Sequence, residues 1–395
     1  MKGIKNILCM KTFKKLFFLF IILIPIIGCK NNSNNDEEIT VTDMIGRDVS
    51  LNIDKIERIV CIGAGALRLY SYIGDMNLIV GAEDIDRNQD DTDYSLFGAG
   101  GFKDVSRPYY DINKDLLKNT LSVGLGGPRN QNPETEKIIL ANPDLIISEY
   151  EDEEKMNKLQ NDTETPVITI RYGNNHNIFD ERLYNTFTLL GKVLKKEDRA
   201  LELINYLKDS EAELKNISQK STNQKESFYI GCLGNWGTQD ILSTSANFSL
   251  FNVSNIKNAI SSLDISNGII DIEKLISVNP DNIILDSLGI SIFKNQKYET
   301  HKEAILNLDA IRNGKVYLQM PFNAYYTNVE VALMDAYYIS SIAYSDMYNN
   351  FSIEDKSTEI LQKFLGKNAS YSLVKDMKES YGGYQKIDNL EEFLG

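Results

Sequence analysis

The chain of 395 residues carries a formal net charge of −14, with 42% hydrophobic and 25% charged residues. This acidic balance argues against nucleic acid or an anionic membrane surface as a partner, because like charges repel. His176 and His301 are the only histidines, too few and too far apart in sequence for a zinc or manganese cage. The sequence therefore predicts no metal site and no cofactor, and its length suits roughly two domains.

The N-terminus has the pattern of an export signal. Residues 1–15 contain five lysines and no acidic residue, and residues 16–27 form a nearly continuous apolar run of 12 residues. Such a run is too short to span a bilayer but suits the apolar region of a signal peptide. It leads into I-I-G-C, which resembles the lipobox of bacterial lipoproteins, where the cysteine is lipidated. Residues 1–29 are therefore predicted to be a lipoprotein signal peptide with Cys29 lipidated.

The segment after Cys29 is polar. Residues 30–38 read K-N-N-S-N-N-D-E-E and cannot contribute to a core, so residues 30–40 are predicted to be a flexible tether. The protein is expected outside the cytoplasm, anchored to the cell membrane, on a Gram-positive surface or in a Gram-negative periplasm. An ordinary signal peptide with an unrelated cysteine is the alternative, and translation can start at Met1 or Met10. Residues 1–28 contribute +5, so the exported chain carries −19.

Short apolar runs then alternate with helical patterns, which is typical of α/β folds. A charged break divides two leucine-rich helical stripes between residues 183 and 220. We predict a first α/β lobe over residues 41–182, a connecting helical segment over 183–220 and a second α/β lobe over 221–395, each with a largely parallel central sheet. The strands are predicted at residues 58–62, 78–82, 145–148, 167–170, 228–233, 282–285 and 316–318, and helices at 66–73, 329–343 and from 354 onward.

An internal repeat supports two similar lobes. E-K-I-I-L-A-N-P-D-L-I-I begins at Glu136 and E-K-L-I-S-V-N-P-D-N-I-I begins at Glu273, with eight of twelve positions identical and a spacing of 137 residues. Both copies predict a short helix, a turn at Asn-Pro-Asp and a buried strand. Pro133 is expected at the first helical position of the first copy, after an Asn132 cap, and Asp271 is expected to cap the second.

Two cysteines remain after export. Cys61 and Cys232 lie in apolar runs in opposite halves of the chain, so we predict buried free thiols and not a disulfide.

At this point the sequence resembles a known family. Residues 42–47 (T-D-M-I-G-R) and 56–60 (I-E-R-I-V) are similar to the opening of the siderophore, haem and cobalamin solute-binding proteins of ABC importers, and the repeat is similar to that family's E-x-[IVL]-x-x-x-x-P-D elements. The resemblance covers about residues 40–390. It implies two lobes bridged by one long helix, a ligand cleft between them, and docking of Glu136 and Glu273 into arginine pockets of a permease dimer.

Candidate ligand contacts follow predicted strands, because ligands of α/β lobes bind at the carboxyl ends of strands. Arg107 and Tyr109 lie in a further predicted loop, R-P-Y-Y. Arginine offers planar donors to oxygen anions, and aromatic rings offer flat walls. The predicted ligand is an anionic, partly aromatic ferric siderophore or a similar iron chelate. The candidates are Gly65, Arg68, Arg107, Tyr109, Gly127 and Arg129 in the first lobe, and Trp236, Asn323, Tyr325 and Tyr326 in the second.

Other ligands and one enzyme class stay open. Haem, cobalamin or an oxyanion such as molybdate would suit the same kind of cleft. A dinucleotide-binding oxidoreductase is suggested by Gly63-x-Gly65 after a strand with Glu83 20 residues further on, but Arg68 occupies the third glycine position. The chain has no G-x-S-x-G motif and no convincing nucleophile and base pair, so enzymatic activity is not expected.

Overall fold

The structure is a computed structural model that describes residues 38–87, 104–127, 132–223, 225–234, 240–265 and 268–395. The predicted signal peptide with Cys29 lies outside these residues, as do Arg129 and Trp236. Regular structure already begins at Glu38, within the predicted tether, because residues 38–40 pair with a second strand.

An antiparallel hairpin opens the described chain, with strands β1 (Glu38–Thr42) and β2 (Asp48–Asn52). Asp43 and Arg47 in the turn form a buried ion pair of 2.7 Å. The same guanidinium donates to the Val167 carbonyl at 2.6 Å, and the Asp43 carboxylate accepts from the Thr169 amide at 3.1 Å. The T-D-M-I-G-R motif is therefore a clamp that fixes the hairpin to the first lobe.

The first lobe is built on five parallel strands in the order β5, β4, β3, β6, β7. Its central strands are apolar throughout because helices cover both faces of a parallel sheet. The strands are β3 (Ile59–Ile62), β4 (Ile79–Ala82), β5 (Leu121–Ser122), β6 (Leu145–Ser148) and β7 (Val167–Thr169), and the helices are α1 (Ala66–Ser71), α2 (Asp84–Arg87), α3 (Pro108–Leu117), α4 (Thr135–Ala141), α5 (Glu153–Thr163) and α6 (Glu181–Val193).

Two local predictions in this lobe are wrong. Tyr109 was expected in a loop, but Pro108 begins α3 and places the tyrosine in its first turn. Proline suits that position because its missing N–H has no helical partner there. Conversely, Pro133 does not begin α4, which starts at Thr135 after a Glu134 cap.

The connecting segment consists of two helices. α6 ends at Val193, and α7 (Glu197–Lys220) begins after Lys195, whose φ of 54° reverses the chain. With 24 residues, α7 is about 36 Å long. It packs against α6 on one side and against helices of the second lobe on the other. One apolar core consequently continues from the first lobe through α6 and α7 into the second lobe.

The second lobe has four parallel strands and one antiparallel edge strand, in the order β12, β11, β10, β8, β9. The antiparallel strand was not predicted. The strands are β8 (Ser227–Gly231), β9 (Lys257–Asn258), β10 (Asn282–Asp286), β11 (Val316–Gln319) and β12 (Gln385–Ile387), and the helices are α8 (Ser249–Val253), α9 (Ile272–Val278), α10 (Ile290–Ile292), α11 (Tyr298–Leu306), α12 (Asp309–Arg312), α13 (Val329–Ala343), α14 (Ile353–Leu365), α15 (Ser372–Lys375) and α16 (Leu390–Leu394).

The two sheets share a four-strand order. In the first lobe the order β4, β3, β6, β7 corresponds to β9, β8, β10, β11 in the second. The repeat occupies equivalent places, as α4 with β6 and as α9 with β10, and each helix ends at a left-handed asparagine, Asn142 or Asn279. The predicted cap at Asp271 is confirmed, since its carboxylate accepts from the Lys274 amide at 2.6 Å. The predicted fold of two α/β lobes is confirmed.

The predicted thiols are also confirmed. Cys61 and Cys232 are both buried and free. Burial raises the pKa of each thiol well above its usual value, so these side chains behave as small apolar groups.

Close packing of α6 against α7 requires glycine at position 191. A Cβ atom there would lie 2.7 Å from the Ala200 Cβ atom. We expect Gly191→Val to lower the free energy of unfolding by about 1–3 kcal/mol, because the helices must separate. Lys192→Val, one residue on at an exposed position, introduces the same side chain and should cost about 0.5 kcal/mol. Chemical denaturation of both variants checks this, and equal losses would contradict it.

Candidate functional site

The carboxyl ends of the strands in the two lobes face each other. The contact depends on one loop, residues 320–328, which follows β11 and precedes α13. Tyr325 and Tyr326 in this loop have φ values of 52° and 69°, a conformation that costs about 1–3 kcal/mol for a side chain other than glycine. Such strain persists only where surrounding contacts enforce it, and here the first lobe supplies them.

Arg68 of α1 provides the main interlobe contact. It is fully buried, and one terminal nitrogen donates to the Ala324 carbonyl at 2.7 Å. The other donates to the carbonyls of Tyr325 at 3.0 Å and Thr327 at 3.2 Å. The guanidinium also lies 4.8 Å from the centre of the Tyr109 ring. Arg68 therefore holds the loop of the second lobe through backbone carbonyls.

Glu83, which follows β4, makes the second interlobe contact. It is 3% exposed. The Tyr325 hydroxyl donates to this carboxylate at 2.9 Å, the Tyr150 hydroxyl at 3.0 Å and the Gly63 amide at 3.1 Å. Burial, and secondly the nearby Asp86 carboxylate, raise the pKa of Glu83 to about 7 against the opposing effect of the three donors.

A buried ion pair lies beside this contact. Arg107 donates to the Asp86 carboxylate at 2.9 Å and to the Ile85 carbonyl at 2.7 Å, and the Tyr109 hydroxyl donates to Asp86 at 2.5 Å. Arg107 is fully buried. Its charge is matched within the first lobe.

Several of the predicted ligand residues meet around Tyr325. The Gly127 amide donates to the Tyr325 hydroxyl at 3.2 Å, and the Arg107 guanidinium lies 6.0 Å from the Tyr325 ring centre. Gly65 belongs to the same region, because a Cβ atom there would lie 2.4 Å from the Tyr172 hydroxyl oxygen. Gly127 and Tyr325 therefore contact each other across the lobes, whereas Gly65 packs against Tyr172 within the first lobe.

An open cleft of about 890 Å³ lies next to this contact. Of the predicted ligand residues that the structure describes, only Asn323 lines it; Tyr326 stacks beside it against Tyr172 and His176. The cleft is formed by residues after β8 and β11, by the segment leading into α8, and by a first-lobe loop. Its described lining is Asn175, His176, Leu233, Gly234, Thr244, Ser245, Ala246, Asn247, Phe248, Ser249, Leu263, Asp264, Ile265, Gly268, Ile269, Phe322 and Asn323.

His176 belongs to the first-lobe loop at the rim of the cleft. Its Nδ1 shares a hydrogen bond with the Thr327 hydroxyl at 2.8 Å, and its ring centre lies 5.6 Å from that of Tyr326. Burial lowers the pKa of His176 to about 4, so the imidazole is neutral near pH 7. Sequence reasoning had considered this histidine only as a metal ligand.

Glu136 and Glu273 lie on helices α4 and α9, and both side chains are exposed. Each is followed three residues later by an exposed isoleucine, Ile139 at 48% and Ile276 at 45%. The repeat therefore places a carboxylate and an apolar side chain at matching surface positions of the two lobes.

Comparison with known proteins agrees with this architecture. The family model described as periplasmic binding protein matches residues 71–321. The chain belongs to the periplasmic binding protein family. The resemblance seen in the sequence is thereby confirmed. A search of curated protein sequences found no significant match.

Solved structures of other members share the fold. A periplasmic solute-binding protein from Veillonella parvula has 22% identity and a TM-score of 0.66, over 88% of this chain and 98% of that one. The molybdate-binding protein MolA of Haemophilus influenzae, bound to molybdate, has 16% identity and a TM-score of 0.61, over 84% and 99%. The catecholate-siderophore binding protein VctP of Vibrio cholerae has 17% identity and a TM-score of 0.51, over 80% and 100%.

Membership places the chain among transport solute-binding proteins, a class distinct from dinucleotide enzymes. The glycine turn that suggested a dinucleotide site is covered by Tyr172, whose hydroxyl donates to the Gly65 carbonyl at 3.0 Å. Glu83, the acidic residue of that pattern, accepts hydrogen bonds from the Tyr150 and Tyr325 hydroxyls.

The described residues contain no group of three or more histidine, cysteine or acidic side chains able to hold a metal ion. None of the helices in the described ranges has the length and apolar character needed to cross a membrane.

The raised pKa of Glu83 predicts a pH-dependent stability. Its pKa rises from 4.5 to about 7 on folding, so the folded chain keeps a proton that the unfolded chain has lost between these values. The stability contributed by Glu83 should therefore fall as pH rises through this window, by up to about 3 kcal/mol, and stay constant above it. Glu83→Gln should remove this component.

Urea denaturation of both proteins across pH 4.5–7.5 measures the difference, with the exposed Glu303→Gln as control. Parallel stability curves for the wild type and Glu83→Gln would show that the carboxyl has no such role.

Proposed function

We propose that this protein is the solute-binding component of an ABC importer, captures a ferric siderophore or a similar iron chelate outside the cytoplasm, and delivers it to the permease. The observation that carries the proposal is the cleft between two lobes of matching topology in a chain of this family. A volume of about 890 Å³ lies within the range of small-molecule sites. Neighbours of the fold bind molybdate and a catecholate siderophore, so the fold alone leaves the ligand open.

The matched glutamates support a permease partner. Glu136 and Glu273 project from equivalent helices of lobes that have diverged elsewhere, and both are exposed. The helix dipole alone favours a carboxylate in the first turn of a helix. It does not explain why the carboxylate occupies the equivalent position of the repeat in both lobes. Two equivalent carboxylates suit a partner with two equivalent basic pockets, such as a permease dimer.

A lipid anchor on Cys29 would keep this protein beside its permease. The support is in the sequence: the apolar run before I-I-G-C and the polar segment after it. Anchoring raises the local concentration of the receptor at the membrane.

Charge reversal at the matched glutamates tests delivery. We expect Glu136→Arg and Glu273→Arg each to reduce uptake about tenfold or more, because like charges would then face each other at the docking contact. Ligand affinity should stay unchanged, since neither residue belongs to the described lining of the cleft. Glu154→Arg is a matched control, because Glu154 is also exposed in the first turn of a helix but lies outside the repeat.

Delivery to the permease is measured as uptake of iron-55 by cells that carry the importer and the variant. Ligand affinity is measured by calorimetric titration of the same purified variant. Parallel loss of uptake and of ligand affinity would place these glutamates in ligand binding and refute docking.

The anchor predicts a change of fractionation. Cys29→Ala should move the protein from the membrane fraction to the soluble or secreted fraction and abolish labelling by a palmitate analogue. Cys9→Ala removes a cysteine from the same predicted signal peptide and should leave both properties unchanged. Retention of the label in Cys29→Ala would show that lipidation occurs elsewhere, and absence of the label from the wild type would show that the segment is an ordinary signal peptide.

A further inference from the structure

The polar groups in the cleft are mainly amides and hydroxyls. Asn175, Asn247 and Asn323 contribute carboxamides, and Ser245 and Ser249 contribute hydroxyls. Asn323 donates one N–H to the Gly234 carbonyl at 2.6 Å, and the Asn247 carbonyl accepts from the Asn252 amide at 2.6 Å. Each carboxamide still has a further donor and acceptor position, so the set suits a ligand with neutral carbonyl and N–H groups. Apolar side chains complete the wall, among them Leu233, Phe248, Leu263, Ile265 and Phe322.

Basic side chains are missing from the described lining of this cleft. Its only ionisable members are His176, which is neutral near pH 7, and Asp264, which is exposed at the rim.

The nearby arginines already have partners of the protein's own. Arg68 donates to three carbonyls of the opposite lobe and Arg107 forms an ion pair with Asp86. Lys215, at the adjoining surface pocket, pairs with Glu211 at 2.6 Å. Moving Arg68 or Arg107 to a ligand would break these contacts and leave buried polar groups without partners. Lys215 is exposed and lies outside the described lining of the cleft.

A polyanion would therefore enter this cleft without a counter-charge from the described residues. Removing a multiply charged anion from water without such pairing is strongly unfavourable. The net charge of −14 opposes its approach as well, within the screening length. A neutral chelate avoids both the desolvation of unpaired charge and the repulsion by the protein. A cationic chelate would in addition be attracted by the Asp264 carboxylate.

We propose that the cleft selects neutral or monocationic ferric chelates of the trishydroxamate class and discriminates against trianionic ferric tricatecholates. Three hydroxamates neutralise Fe³⁺, whereas three catecholates leave the complex trianionic. Hydroxamate chelates also present amide-like groups that match the asparagines. The inference rests on the proposed function and narrows its ligand, and it replaces the anionic chelate expected from the arginines in the sequence.

Isothermal titration calorimetry of the full exported chain tests this with three probes: a neutral ferric trishydroxamate, a monocationic ferric trishydroxamate and a ferric tricatecholate. We expect both hydroxamate complexes to bind at least about tenfold more tightly than the tricatecholate, a difference of about 1.4 kcal/mol. Asp264→Asn should weaken the cation alone, by about 2- to 5-fold, as for an exposed ion pair.

Asp264→Lys should reduce the ratio of hydroxamate affinity to tricatecholate affinity. Glu303→Lys makes an equal charge change on α11, outside the described cleft lining, and should leave this ratio unchanged. Equal or tighter binding of the tricatecholate by the wild type would overturn the inference and leave the proposed function standing. If Arg129→Ala then lost this tricatecholate binding, Arg129 would be the basic group that balances the charge of the chelate. Binding of none of the three chelates would overturn the proposed function, and the inference with it.

Discussion

The arrangement of the lobes depends on the burial of the Arg68 guanidinium. A buried charge is tolerated only where hydrogen bonds compensate for lost hydration. The Arg68 guanidinium donates such bonds to three backbone carbonyls in the loop after β11. The same loop holds two tyrosines at positive φ and places Tyr325 against Glu83. One cation in α1 thus couples the backbone of the second lobe to the strand ends of the first.

This contact between the lobes also determines which chemical groups in the cleft are available to a ligand. Arginines that look available in the sequence are used to join the lobes or to balance Asp86, so the accessible surface beside them carries amides, hydroxyls and apolar groups. Binding selectivity in this protein consequently follows from the interlobe contact as much as from the residues that face the ligand.

Much of the fold could be predicted from the sequence because its signals are local or repeated. The helix over residues 329–343 is apolar and uninterrupted, and the structure has the same bounds, Val329–Ala343. The repeat correctly indicated equivalent helices and strands in both lobes. The site was harder to predict: the carbonyls that bind Arg68 belong to the backbone, which has no sequence signature, and Asn247 and Phe248 line the cleft from a stretch without a motif. The helix beginning at Pro108 was missed because its Arg-Pro-Tyr-Tyr start resembles a loop.

The apolar core that runs through α6, α7 and both sheets has a consequence for how the molecule unfolds. The internal repeat indicates two lobes of similar architecture, and besides this shared core each lobe keeps a smaller apolar cluster of its own. The chain from Asp36 onward forms one compact unit. Heating should therefore melt both lobes in a single cooperative transition, and a ligand held in the cleft should stabilise residues far from it, since the shared core couples the unfolding of one lobe to that of the other.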